Sequence, residues 1–136
     1  FQLLLHSDRK VVMRSADAVE KITLKNATFL ERHKASILKL VETARHIELK
    51  WHLALIASRP ELTKREFRKV WQILTDWANN RKESKIVRVN SMQGLFNLLK
   101  TNQELKQDFN LTLNRIEKEG IPSINARIKK IKKARG

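Results

Sequence analysis

The chain has 136 residues, with 29 Lys and Arg against 14 Asp and Glu, and a net charge of +15 attracts polyanions: nucleic acid first, then anionic membrane surface and acidic proteins. Hydrophobic residues at 41% and charged residues at 32% exclude a disordered chain, and the length suits one domain, 1–136, with a continuous core. The absence of cysteine excludes a disulfide framework and a thiolate metal site, and fits a reducing, cytoplasmic setting.

No apolar run approaches the ~20 residues that span a bilayer. Phe1-Gln2-Leu3-Leu4-Leu5 is too short for a signal-peptide core, and an opening on Phe reads as a trimmed chain whose residues 1–5 end a preceding helix or form a cap. Apolar spacing predicts paired helices at 9–24 and 28–44, 47–58 and 63–79, and 84–99 and 101–118, followed by a lone helix at 123–134. Asp8, Ser84 and Ser123 are N-cap residues for the first helices of the pairs and for the last helix. The second helices open on Thr28 to Glu31, Thr63 to Glu66 and Thr101 to Glu104, which all match the capping box. Gly120 and Pro122 stop the chain before the last helix. Phe67, Val70, Trp71, Leu74 and Trp77 form one apolar face, and Leu105, Phe109, Leu113 and Ile116 another.

Four stretches superpose at a nearly constant step. They begin at Val12, Leu49, Val87 and Ile124, which lie 37, 38 and 37 residues apart, and each carries a further small or apolar residue four and seven positions on. The seventh-place residues are Val19, Ile56, Gly94 and Ile131, so Gly94 marks a close helix approach. A helical pattern at this period is the signature of stacked hairpins that bury their faces only against neighbours. The units are expected at about 8–44, 47–79 and 84–118, with a capping helix at 123–134.

The period, the pairing and the apolar-then-basic opening Val87-Arg88 resemble HEAT repeats. The stretches Met13 to Lys21, Lys50 to Ala54, Ser84 to Arg88 and Ser91 to Leu95 are similar to a group of short bacterial HEAT-like proteins, from about Ser7 to Lys133. Asn125 departs from that pattern, where such a repeat carries a basic residue, as a terminal unit does. The resemblance implies an all-α, right-handed α-solenoid of about three and a half HEAT-like helix hairpins. It brings no catalytic residue with it.

The residues themselves carry no catalytic constellation. His6, His33, His46 and His52 form no ligand pair at helical spacing, so neither metal nor cofactor is expected, and His52 beside Trp51 reads as a hydrogen-bonded packing residue. Ser15, Ser84 and Ser123 are explained by helix positions or caps, and no glycine-rich loop is present to cradle a phosphate.

The cations do show an order. Arg9, Arg45 and Arg81 lie 36 residues apart in the turns before the first helices, beside Lys10, His46, Lys82 and Lys85, and stacking would align them as a basic ridge. Lys64, Arg65, Arg68 and Lys69 form a second cluster. A third is the acid-free run Arg127, Lys129, Lys130, Lys132, Lys133 and Arg135. Each is equally explained as a solvated helix end or tail. The reading is a non-enzymatic binding platform, a scaffold whose protein partner is acidic, with no small-molecule substrate. The alternative is sequence-independent nucleic-acid binding along the ridge. A DNA-glycosylase-like enzyme is a third reading, which requires Trp71 or Trp77 exposed beside a carboxylate such as Asp76.

Overall fold

Apolar residues at steps of three and four give each helix one face to bury. In the computed structural model, which describes residues 9–25 and 27–135, the helices in chain order are α1 (Arg9–Lys25), α2 (Ala27–Arg32), α3 (Lys34–Thr43), α4 (Ile47–Ile56), α5 (Lys64–Asn79), α6 (Lys85–Leu99), α7 (Lys106–Glu117) and α8 (Pro122–Arg135). A 3-10 turn, Gln103–Leu105, leads into α7. Among the described residues there is no strand, and the fold is the all-α helical repeat expected. No described helix is long and apolar enough to cross a membrane.

Two layers form. α1, α4, α6 and α8 pack side by side, and α3, α5 and α7 line up behind them. α6 is the hub, since it packs closely on both α4 and α5. The core runs between the layers through Leu53, Leu74, Met92, Leu95, Phe109 and Ile128, each with at most 1% of its surface exposed. Gly94 explains the close approach at the hub: a Cβ there would stand 2.3 Å from the Ala54 carbonyl oxygen of α4 and 3.0 Å from Leu74 Cδ1 of α5.

The caps differ from their sequence motifs. At Thr63 the capping box is complete, with the Glu66 N–H donating to Thr63 Oγ1 at 3.2 Å and the Thr63 N–H to Glu66 Oε1 at 2.9 Å. Ser84 Oγ accepts from the Val87 N–H at 3.3 Å and caps α6 as expected. The other two boxes do not form. Thr28 lies inside α2, and Glu31 instead accepts from the Glu61 backbone N–H at 3.1 Å. The Thr101 hydroxyl donates backward to the Leu98 carbonyl, because the chain there takes the 3-10 turn. Ser123 lies inside α8, whose first position belongs to Pro122, where a missing N–H costs nothing. The expected helix 28–44 is broken at His33, with φ −107° and ψ 11°, although hydrogen bonds from His33 to Phe29 and from Ile37 to His33 carry the turn across the break. Asp8 lies outside the described residues.

Candidate functional site

Several charged side chains are engaged by structural partners. Arg88 is almost fully buried on α6; its Nε donates to the Ala78 carbonyl at 2.8 Å, and its two terminal nitrogens donate to the Glu119 carboxylate at 3.0 and 2.6 Å. Hydrogen bonds from Arg88 hold the Glu119 carboxyl below the usual carboxylate range, with help from the charges of Arg88 and Arg81, while burial acts the other way. Lys50 reaches from α4 to Glu83 at 2.7 Å and lies over the Trp77 ring at 5.3 Å. Asp108 accepts from the Trp71 indole N–H at 2.9 Å. The capping hydrogen bond from the Thr63 backbone lowers the Glu66 pKa. Glu119, Glu83, Asp108 and Glu66 are thus engaged by structural partners.

The expected partner-binding residues fall as follows. Arg45 is exposed in the turn before α4, and Arg81, Lys82 and Lys85 are exposed in or beside the turn before α6. Arg81 faces Glu119 at 3.5 Å, so part of its charge is compensated. The side chains of Arg9 and Lys10 lie outside the described residues, so that end of the expected ridge has no described geometry. Lys64, Arg65, Arg68 and Lys69 are all exposed on α5, and Lys69 pairs with Glu42 of α3 at 2.6 Å. Among the described residues, no carboxylate pairs with Arg45, Lys64, Arg65, Arg68, Lys82 or Lys85. In the C-terminal run, Arg127 donates to Gln93 at 3.2 Å and Lys132 pairs with Glu117 at 3.3 Å, whereas Lys129, Lys130 and Lys133 are exposed.

Helical spacing reveals no ligand pair, because the acids and the histidine that do meet lie on different helices. The packing of α1 on α4 brings Asp17, Glu20 and His52 together, with ligand atoms all within 4.8 Å of one another. Their polar atoms are engaged. His52 Nδ1 meets Glu20 Oε2 at 2.5 Å, Arg59 stands 3.8 Å from Glu20 Oε1, and Lys21 pairs with Asp17 at 3.0 Å. His52 is accordingly a hydrogen-bonded packing residue, stacked on Trp51 with ring centroids 5.2 Å apart.

Neither Trp71 nor Trp77 is an open stacking platform. Trp71 is buried, stacked on Phe67 at 5.8 Å and edge-on to Phe109 at 6.4 Å. Trp77 is half-buried beneath Lys50, and Asp76 is held by the Gln72 amide at 2.8 Å. The condition set for a glycosylase, an open tryptophan beside an available carboxylate, is not met by these residues. No curated protein and no solved structure matches the chain significantly, whereas the family model of the HEAT repeat domain matches residues 1–135. With its layered helices and this near-complete match, the chain belongs to the HEAT repeat domain family.

Proposed function

We propose that the protein is a non-enzymatic helical-repeat platform, an interaction scaffold whose basic surface receives an acidic protein partner in the cytoplasm. One observation carries the reading: Glu119, Glu83, Asp108 and Glu66 are engaged by Arg88, Lys50, Trp71 and the Thr63 cap, while Arg45 and Lys82 at the turns, Lys85 at the start of α6, and Lys64, Arg65 and Arg68 on α5 stay exposed without acidic partners among the described residues. A surface of one sign steers and holds a partner of the other, more through association rate than through buried contact. The units expected at 8–44, 47–79, 84–118 and 123–134 would repeat that surface along the array.

Nucleic acid is the second reading, favoured by Arg45 and Lys82 lying in equivalent turns before α4 and α6, with Lys85 at the first position of α6. Co-purification from native lysate with and without nuclease separates the two. A partner protein retained after nuclease treatment and released by salt supports the scaffold. Loss of all bound material on nuclease treatment overturns it in favour of nucleic acid.

A further inference from the structure

We propose that the cleft between the N-terminal halves of α6 and α8 is the docking site for an acidic, amphipathic helical segment of a protein partner. The proposal rests on the platform reading and gives it a place and a chemistry. The cleft has a volume of about 350 Å³ and is lined by Lys85, Ile86 and Val89 from α6 and by Ala126, Arg127 and Lys130 from α8.

Helix geometry sets these residues on one surface. Ile86 and Val89 are three apart, Ala126 and Lys130 four apart, so each pair shares a helix face. Ile86 is 40% exposed, an aliphatic side chain left in the open where α6 and α8 part. Three cations rim this aliphatic floor, and no carboxylate lines it. The nearest acids in sequence are held elsewhere, Glu83 by Lys50 and Glu119 by Arg88. Arg127 is steadied by Gln93 at 3.2 Å. Among the described residues nothing acidic pairs with Lys85 or Lys130.

Floor and rim together select the occupant. A phosphodiester backbone engages cations and hydrogen-bond donors and has no use for Ile86, Val89 and Ala126. An acidic helix with aliphatic residues along one stripe satisfies both, its stripe in the groove and its carboxylates against Lys85, Arg127 and Lys130.

The test is fluorescence anisotropy with a labelled synthetic peptide that has Leu at i, i+3, i+4 and i+7 and Glu elsewhere. A peptide of the same composition with leucines dispersed around the helix and a labelled single-stranded oligonucleotide are the comparisons. The parent should bind the striped peptide about tenfold more tightly than the dispersed one. Ala126→Glu and Lys130→Glu should each weaken it by about tenfold, while Lys39→Glu, with the same charge change as Lys130→Glu but at an exposed position on α3, should change it by less than about twofold. Methyl resonances of Val89 and Ala126 should shift on titration. Circular dichroism and thermal melts show that these exposed variants fold. If the parent binds the striped peptide and all three variants bind it alike, the cleft is overturned and the platform reading stands. If the parent binds the oligonucleotide but not the peptide, both are overturned. No peptide binding at ~100 μM in ~0.15 M salt overturns the cleft as the site.

Discussion

Arg88 and Glu119, 31 residues apart, meet through two nitrogens and two oxygens at 3.0 and 2.6 Å, and this ion pair ties the start of α6 to the turn before α8. Arg88 is 2% exposed, so neither water nor salt can take over its charge if the partner is removed. Glu119→Gln should therefore cost roughly 3–5 kcal/mol in chemical denaturation, the range for breaking a buried pair by removing one partner. Replacing both residues by apolar ones of similar volume should cost less than the sum of the single changes. A cost below about 1 kcal/mol for Glu119→Gln would mean that the pair is not buried in solution.

The same pair predicts an acid limb in the stability curve. Arg88 holds the native Glu119 carboxyl below its ordinary value, so the unfolded chain binds the proton more readily. Its contribution is complete above the unfolded carboxylate pKa of about 4.3 and is lost as pH falls through the lower native value. Denaturation midpoints measured from about pH 6 to pH 2 should fall more steeply in the parent than in Glu119→Gln. Parallel curves would contradict the assignment.

Gly94 gives a prediction of opposite sign to helix propensity. Ala in a helix interior is favoured over Gly by about 1 kcal/mol, yet a Cβ at this position would sit 2.3 Å from the Ala54 carbonyl oxygen. That atom belongs to the backbone of α4 and cannot rotate away. Gly94→Ala should destabilise by roughly 1–3 kcal/mol, the usual cost of overpacking. A stabilised variant would show that α4 and α6 stand farther apart.

The helical period and the apolar faces were legible in the sequence because each depends on residues three or four apart. Trp71, Leu74 and Phe109 are buried as their spacing implies, and Gly94 sits at the close approach expected of it. Capping boxes were legible only in part. Thr28, Thr63 and Thr101 present the same four-residue motif, and tertiary packing decides where each helix starts, so only Thr63 becomes a cap. Arg88 stood out in the sequence only as the basic half of a repeat opening. Its partner is 31 residues away, and no local spacing points to Glu119. Of the cleft, Lys85 was visible as a candidate and Lys130 as part of a basic run. Ile86, Val89 and Ala126 lie in the repeated stretches, but their spacing does not mark them as one surface, because the groove exists only once α6 and α8 pack.

The caps themselves can be tested. Thr63→Ala removes an acceptor that the Glu66 N–H uses and should cost about 1 kcal/mol. Thr28→Ala and Thr101→Ala should each cost less than about 0.5 kcal/mol, as surface changes without a cap do. Equal losses at all three positions in urea denaturation would restore the repeated capping box and move the starts of α2 and α7.

Trp71 combines a ring in the core with an indole N–H that finds Asp108 at 2.9 Å. Trp71→Ala should cost roughly 3–5 kcal/mol through cavity formation, enough to unfold a marginal domain. Trp71→Phe keeps most of the volume and leaves Asp108, which is exposed, to be hydrated, so its cost should be clearly smaller. A loss below about 1 kcal/mol for Trp71→Ala would place the ring at the surface and bring back a stacking role.

The basic ridge makes the last prediction, because its two readings respond differently to salt and to nucleic acid. Arg45 and Lys82 occupy equivalent turns and are exposed, while Arg81 is partly answered by Glu119. If the turns track a phosphate backbone, changing Arg9, Arg45 and Arg81 together to Ala should flatten the slope of log affinity against log salt by about 0.9 for each phosphate of duplex DNA that is no longer neutralised. The contribution of Arg81 should be the smallest of the three, since Glu119 already competes for it. The changed chain remains strongly basic, so an unchanged slope would separate the ridge from general charge and remove it as the site. On the scaffold reading, binding to an acidic protein should weaken as salt rises, chiefly through slower association, and survive nuclease. Stopped-flow association measured at low and physiological salt reads that rate directly, and an association rate independent of salt would rule out the exposed cations as what draws the partner in.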